Sequence, residues 1–273
     1  MGSNYTRMLQ PPHHLVRVDV EHRFVEQRRL EGWIDDPFPD DRELIARNII
    51  GRHKGRAAFV VAAGPSAGMF LPEQVNELAS LCVTWGVNHA WEVLGGEPLD
   101  ADYLLILDDH FLARKRTPIF DYLAARPHCL PCFGFEMKEA LRHYFVGIEM
   151  GLTPDQGPDY KPGRYFHGNS GGVAAIQMAL HCGCSRVYLL GHDCCTANGK
   201  THGFGVRTTG ELNAGYSQGL TMEPGYGLVA RHAASLGVEV VNLSPVSRLS
   251  CFKKCTLEEA IQNERAEAVK GGG

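Results

Sequence analysis

Asp193, Lys200 and His202 follow one another within ten residues, in YLLGHDCCTANGKTHGFG (188–205), directly behind a short apolar run. An acid, a cation and an imidazole gathered at the end of one buried segment can handle a proton and a phosphate. An imidazole ordinarily changes charge near neutral pH, so His202 suits a general base or acid, while Lys200 can neutralise phosphate charge. A solvated surface loop has the same composition, so the cluster acquires meaning only if other elements bring partners to it.

Other stretches offer such partners. GRAAFVVAAGPSAG (55–68) ends an apolar run in Gly64, Pro65 and Ser66. Glycine lets a backbone approach a ligand closely, and a serine hydroxyl beside backbone N–H groups suits a phosphate. No GK[ST] and no GxGxxG follows, so neither common phosphate motif is present; a tight turn is the alternative. In HGNSGGVAAIQMAL (167–180), Asn169, Ser170 and Gly171 precede a clean helix, whose exposed N–H groups and missing side chains favour an anion. Asn88, in WGVNH, has the character of a turn residue. Asp108 and Asp109 follow another apolar run and suit a divalent ion or a ribose, or a helix cap in the case of Asp109. Asn242 and Ser244 close VVNLS, with Arg248, Lys253 and Lys254 beyond, a basic segment able to fold over a phosphate.

These residues need a frame that puts segment ends side by side. Near-continuous apolar runs at 57–63, 81–84, 102–107, 128–133, 185–191 and 238–244 predict strands. Helical spacing at 111–125, 136–148, 171–183, 226–237 and 256–269 separates many of them, and 151–166 is loop-like. Apolar strands alternating with helices predict an α/β fold, a mostly parallel Rossmann-like sheet covered on both faces. Ligands of such sheets lie at the carboxyl ends of the strands. Residues 1–50 are richer in charge, and Asp40 or Asp41 can cap a helix bearing Leu44, Ile45, Ile49 and Ile50. The expected organisation is therefore an N-terminal helical extension (1–50), a nucleotide-binding catalytic domain (51–255) and a C-terminal helix and tail (256–273).

Composition removes several functions. The chain has 273 residues, 44% hydrophobic, and a formal net charge of −4 with scattered basic residues. That distribution does not favour nucleic-acid binding, which needs a concentrated positive surface. No apolar run reaches the ~20 residues of a membrane span, and the N-terminus lacks a signal-peptide pattern, which points to a cytoplasmic protein. Nine cysteines then read as free thiols. Cys182, Cys184, Cys194 and Cys195 lack zinc-site spacing. Cys129 and Cys132, three apart in a strand, point to opposite faces. Apolar residues near Phe145 and Ile148 leave room for a homodimer.

The order AGPS, VN, D, GNSGGVAAIQMAL, VYLLGHD, NGKTH, NLSP resembles the family that contains the motility accessory factors of flagellated bacteria and the archaeal 6-hydroxymethylpterin diphosphokinase. It is similar, more distantly, to bacterial sialyltransferases with a Rossmann-like variant of the GT-A fold. The most specific element, LLGHDCCTANGKTHG, looks like that family's GxD…G-K-[ST]-H stretch, with His192 where Gln is common. The resemblance spans roughly residues 55–255. It implies a nucleotide or nucleotide-sugar donor held by Gly64, Pro65, Ser66 and Asn88, with Asn169, Ser170 and Gly171 meeting phosphate or an acceptor carboxylate. Asp193 would orient the loop or bind ribose or metal, and His202 would stand near the sialyltransferase catalytic histidine. Three functions follow. One is sugar transfer from a nucleotide donor such as a CMP-linked nonulosonic acid, with His202 as base. Another is Mg²⁺-dependent diphosphate transfer from ATP to a hydroxymethyl heterocycle, with Asp108, Asp109 and Asp193 as metal ligands. The third is nucleotide binding without chemistry. A phage or mobile-element setting is compatible with all three.

Overall fold

In the computed structural model the described residues are 50–92, 98–107, 109–126, 128–134, 146–150, 164–165, 170–203 and 209–271. The N-terminal extension and its expected helix up to residue 49, Asp108 and Asn169 lie outside them, as does Phe145. The strands are β1 (Ala57–Val61), β2 (Val83–Val87), β3 (Tyr103–Ile106), β4 (Leu130–Gly134), β5 (Val146–Met150), β6 (Arg164–Tyr165), β7 (Arg186–Leu190), β8 (Glu239–Asn242) and β9 (Lys253–Lys254). The helices are α1 (Pro72–Leu81), α2 (Asp109–Ala125), α3 (Gly171–His181), α4 (Thr209–Ser235) and α5 (Leu257–Gly271).

The strands form one sheet in the order β6-β5-β4-β3-β2-β1-β7-β8-β9, and every pairing is parallel. The expected α/β Rossmann-like class is therefore the observed one. Alternation along the strands divides the core in two. Phe59, Val61, Leu104, Ile106 and Leu190 pack with α1, α2 and α5 on one face. Ala58, Val60, Trp85, Leu105 and Leu189 pack with α3 and α4 on the other. The wholly apolar 57–61 run is explained by this double burial. Cys129 lines the first core and Cys132 the second, as strand alternation requires.

Several elements depart from the sequence reading. The second strand is shifted from 81–84 to Val83–Val87, because Leu81 closes α1 and Trp85, Gly86 and Val87 pair in register with β1 or β3. Residues 146–148, given helical spacing, belong to β5, where hydrogen bonding to the edge of β4 overrides local preference. Arg164–Tyr165, assigned to a loop, adds a two-residue strand beside β5. The last crossover helix begins at Thr209, not Tyr226, and runs through Pro224, Gly225 and Gly227. Those residues read as breakers, yet Tyr226, Val229 and Ala233 are buried on the sheet and that packing holds the helix together.

Candidate active site

Strand order reverses at β1: β2 lies on one side and β7 on the other. The loops leaving β1 and β7 meet there. Gly64 N–H donates to the Gly191 carbonyl at 2.9 Å, and a side chain on Gly64 would collide with that oxygen and with Asp193. Gly191 has φ of 74°, so the tight exit from β7 requires glycine as well. Asp193 is 2% exposed, and both of its carboxylate oxygens are engaged. Ser66 N–H donates to Oδ2 and Ser66 Oγ–H donates to Oδ1, each at 2.7 Å. Ser66 Oγ also accepts from Gly191 N–H at 3.2 Å. Ser66, expected to meet a phosphate, has its N–H and its hydroxyl proton both directed at Asp193, and the residue is fully buried. Asp193 holds the Gly64–Pro65–Ser66 loop.

On the other face, α3 starts at the carboxyl ends of the strands. Gly171 abuts Val87 and Asn88, and a Cβ there would strike Val87. Asn88 has φ of 50°, and its Oδ1 is buried without a hydrogen-bond partner. Ser170 caps α3 by accepting from Gly172 N–H at 3.2 Å. Behind it runs a chain of hydrogen bonds whose direction is fixed at its far end. His192 Nε2–H donates to the Val60 carbonyl at 3.2 Å, so Nδ1 accepts from Tyr226 O–H at 2.8 Å. Tyr226 then accepts from Ser170 O–H at 2.9 Å. Burial holds the His192 pKa down at about 4, so the ring is neutral and the direction is stable. Ser170's proton is thus committed to Tyr226. Gly172 is glycine because a Cβ would overlap both His192 and Tyr226.

A rim of imidazoles stands above this floor. Asn198 and Gly199 have φ of 51° and 68° and close a two-residue turn between Ala197 and Lys200, joined by bonds of 3.0 and 2.9 Å. Lys200 is exposed at that turn. His202, also exposed, is bonded to Thr201 Oγ1 at 2.9 Å. Gly203 N–H donates to the Ala63 carbonyl at 3.0 Å, and Gly68 packs against Gly203, which sets His202 over the end of β1. His89, just after β2, lies 6.5 Å from His202 between ring centroids. Its Nδ1 is 2.8 Å from Glu92 Oε2, and its ring packs on Phe111 at 4.1 Å. Lys115 Nζ donates to Glu92 Oε1 at 3.0 Å. Burial works against the Glu92 charge, but the bonds from His89 and Lys115 outweigh it and hold the carboxyl below its usual value.

The remaining expected residues are distributed as follows. Asn242 is fully buried; its amide donates to Ser247 Oγ at 2.9 Å, and its oxygen accepts from Ser244 N–H at 3.0 Å. It organises the end of β8 and presents nothing outward. Ser244 Oγ is buried without a partner. Asp109 opens α2, and its side chain is outside the description. Sequence reasoning gives no site role to His192, Tyr226, His89, Glu92 or Lys115, although it marks His192 as standing where the family commonly has Gln. The His89-x-x-Glu92 spacing carried a signal, since residues three apart eclipse on a 3-10 turn such as Asn88–Glu92. Tyr226 carried none.

A separate cleft of about 320 Å³ between β7, β8, β9 and α5 is spanned by ion pairs of Arg186, Lys253 and Lys270 with Glu239, Glu264 and Glu267. Among the described residues no cluster of His, Cys, Asp and Glu has metal-site geometry, and no helix is long and apolar enough to cross a membrane.

Comparison of the fold with solved structures finds the MAf glycosyltransferase from Magnetospirillum magneticum AMB-1, with a TM-score of 0.52 and 13% identity over 84% of this chain. This chain spans 41% of the length of that protein. It also finds the sialyltransferase CstII from Campylobacter jejuni. The complex with CMP-3FNeuAc has a TM-score of 0.43 and 14% identity, covering 74% of this chain and 86% of that one. The complex with cytidine-5'-monophosphate has a TM-score of 0.42 and 12% identity over the same shares. At such identities the likeness is one of fold. No family model and no curated protein matches the sequence.

Proposed function

We propose that the chain is a glycosyltransferase that takes its sugar from a nucleotide donor. The observation that carries this reading is the meeting of three elements at the point where strand order reverses. They are the Gly64–Ser66 loop clamped by Asp193, the start of α3 at Gly171, and Asn88 with its buried, unpartnered Oδ1. A helix start offers fixed dipoles to a departing phosphate. The Asn88 Oδ1 is an acceptor suited to an N–H or O–H of a bound nucleotide. The resemblance in motif order and the fold shared with a glycosyltransferase support the same reading.

In this reading the acceptor hydroxyl attacks the anomeric carbon. The bond from that carbon to the phosphate oxygen breaks, its electron pair leaves with the nucleotide, and the hydroxyl proton passes to an imidazole of the rim. His202 is the base expected from the motif. A CMP-linked nonulosonic acid is the donor that the resemblance favours. Diphosphate transfer draws less support, because Asp193, one of its three expected magnesium ligands, has both oxygens committed to Ser66.

Calorimetric titration with CMP, CDP, UDP, GDP and ATP, each with and without Mg²⁺, tests the reading. Metal-independent binding of a cytidine or uridine nucleotide is expected. Binding of ATP alone, and only with Mg²⁺, would replace it with the diphosphokinase reading, and silence across the panel would end it.

A further inference from the structure

We propose that His192 and Tyr226 are positioning residues of this site, acting on a bound nucleotide through Ser170. The inference rests on the transfer reading above and goes beyond it in naming the groups that hold the start of α3 in place. That start is weakly determined by itself. Gly171 and Gly172 open the helix, and glycine has the freest backbone of any residue. Ser170 supplies the cap: its Oγ accepts from Gly172 N–H at 3.2 Å, and its carbonyl accepts from Val173 N–H at 3.1 Å. A serine hydroxyl rotates to suit its surroundings unless its proton is bound. Here the proton goes to Tyr226, Tyr226 donates in turn to His192 Nδ1, and His192 Nε2–H ends on the Val60 carbonyl of β1. A carbonyl can only accept, so every link has one direction. Tyr226 and His192 are both buried, and their rings meet edge to face at 5.8 Å. Phe252 packs edge to face on Tyr226 at 6.1 Å, so the phenol is held by more than its hydrogen bonds.

His192 stands between the two residues that fix the other half of the site. The Gly191 carbonyl accepts from Gly64 N–H, and Asp193 clamps Ser66. The His192 carbonyl accepts from Ser247 Oγ at 2.8 Å, on the loop after β8, so its main chain is held while its side chain reaches toward α3. Three consecutive residues therefore tie the Gly64–Ser66 loop on one side and the start of α3 on the other, and they set the separation between the two elements that would face the donor phosphate. Apolar side chains at 192 and 226 would fill the same core without burying polar groups, so packing does not call for this pair. What the pair adds is direction. With its proton turned inward, Ser170 meets a ligand only as an acceptor, and an anion is left to the backbone N–H groups of the helix start.

The test uses full-length protein and the variants Ser170→Ala, Tyr226→Phe, His192→Leu and His192→Gln, together with the double variant of Ser170→Ala and Tyr226→Phe. Affinity is read by calorimetry with CMP, or with the nucleotide of the panel above that the unaltered protein binds most tightly. Unfolding free energy is read separately in urea. Ser170→Ala and Tyr226→Phe are each expected to weaken binding about five- to tenfold, the effect of one helix cap. The double variant should bind no more weakly than the weaker single variant, because Tyr226 acts through Ser170. His192→Leu should bind as weakly as Tyr226→Phe. A glutamine accepts with its oxygen and donates with its amide, so His192→Gln should recover most of that loss. Tyr226→Phe or His192→Leu that unfolds more easily yet binds as tightly as the unaltered protein would overturn the inference. Additive losses in the double variant would overturn it too, as would His192→Gln binding no better than His192→Leu. Each of these leaves the transfer reading standing. If His192→Leu does not fold, the Ser170 and Tyr226 variants decide by the same criteria. Unaltered protein that binds no nucleotide would overturn the transfer reading and the inference together.

Discussion

Ser66 donates both its backbone N–H and its hydroxyl to the two oxygens of Asp193, each at 2.7 Å, across 127 residues of sequence. Hydrogen bonds to a charged group are worth about 1.5–3 kcal/mol, and a buried donor left alone costs a similar amount. Asp193→Ala is therefore expected to lower the unfolding free energy by about 3 kcal/mol, and Ser66→Ala by about 1–2 kcal/mol. The double variant should lose less than the sum, as urea unfolding of the four proteins would reveal. Strict additivity would mean that the two residues do not act as a pair.

His192 ties folding stability to pH. Its folded pKa of about 4 lies below the ordinary 6.5, so below pH 6.5 the unfolded chain takes up a proton that the folded chain refuses. The stability from this group is fully present above pH 6.5 and is lost progressively as pH falls toward 4, by about 3 kcal/mol in all. His53, whose pKa burial and then Arg52 and Arg56 hold at about 4, acts in the same window. Comparing the unaltered protein with His192→Gln separates them: the variant's unfolding free energy should fall less steeply between pH 6.5 and 4. Parallel slopes would remove His192 from the account.

Gly172 leaves no space for a side chain. Gly172→Ala would press a methyl into His192 and Tyr226, and we expect a loss of about 2–3 kcal/mol or more, since overpacking there strains buried polar groups. Gly227→Ala, in α4 and meeting only the end of Arg231, should be neutral or slightly stabilising. Thermal unfolding of the two variants checks the contrast, and equal effects would contradict the packing.

Tyr226→Phe removes the link between Ser170 and His192. Nδ1 of a buried ring then lacks its donor, and Ser170 loses its acceptor. A cost of about 1–3 kcal/mol is expected, with weaker nucleotide binding if the α3 cap shifts. Calorimetry of folded variant protein measures the second effect separately from the first.

Thiol chemistry should follow burial. Cys82, Cys182 and Cys184 are buried, and that burial pushes their thiols far above the ordinary range, while Cys194 is raised to about 12. Cys251 is exposed. A disulfide reagent at pH 8 should modify Cys251 first in the folded protein and Cys82, Cys182 and Cys184 only on unfolding. Early modification of Cys182 would contradict the packing of α3.

The sequence by itself determined the class of fold and the order of its polar segment ends. Short apolar runs such as AAFVV and RVYLL, bounded by turn residues, read as strands of a sheet covered on both faces, and the longer GGVAAIQMAL reads as a buried helix. It also marked Gly64, Ser66, Asp193 and Gly171 as residues of one region, since parallel strands bring their carboxyl ends together. Tertiary structure alone decided what each does there. Ser66 reads as a phosphate ligand until Asp193 is seen to take both of its protons. Asn242 reads as a ligand until Ser244 and Ser247 are seen to occupy its amide. Tyr226 in α4 and His192 in the loop after β7 meet 34 residues apart, and no local spacing encodes that meeting. Strand and helix follow from periodicity, which is local, whereas the partner of a buried hydrogen-bonding group is whatever the packed layers place within about 3 Å of it.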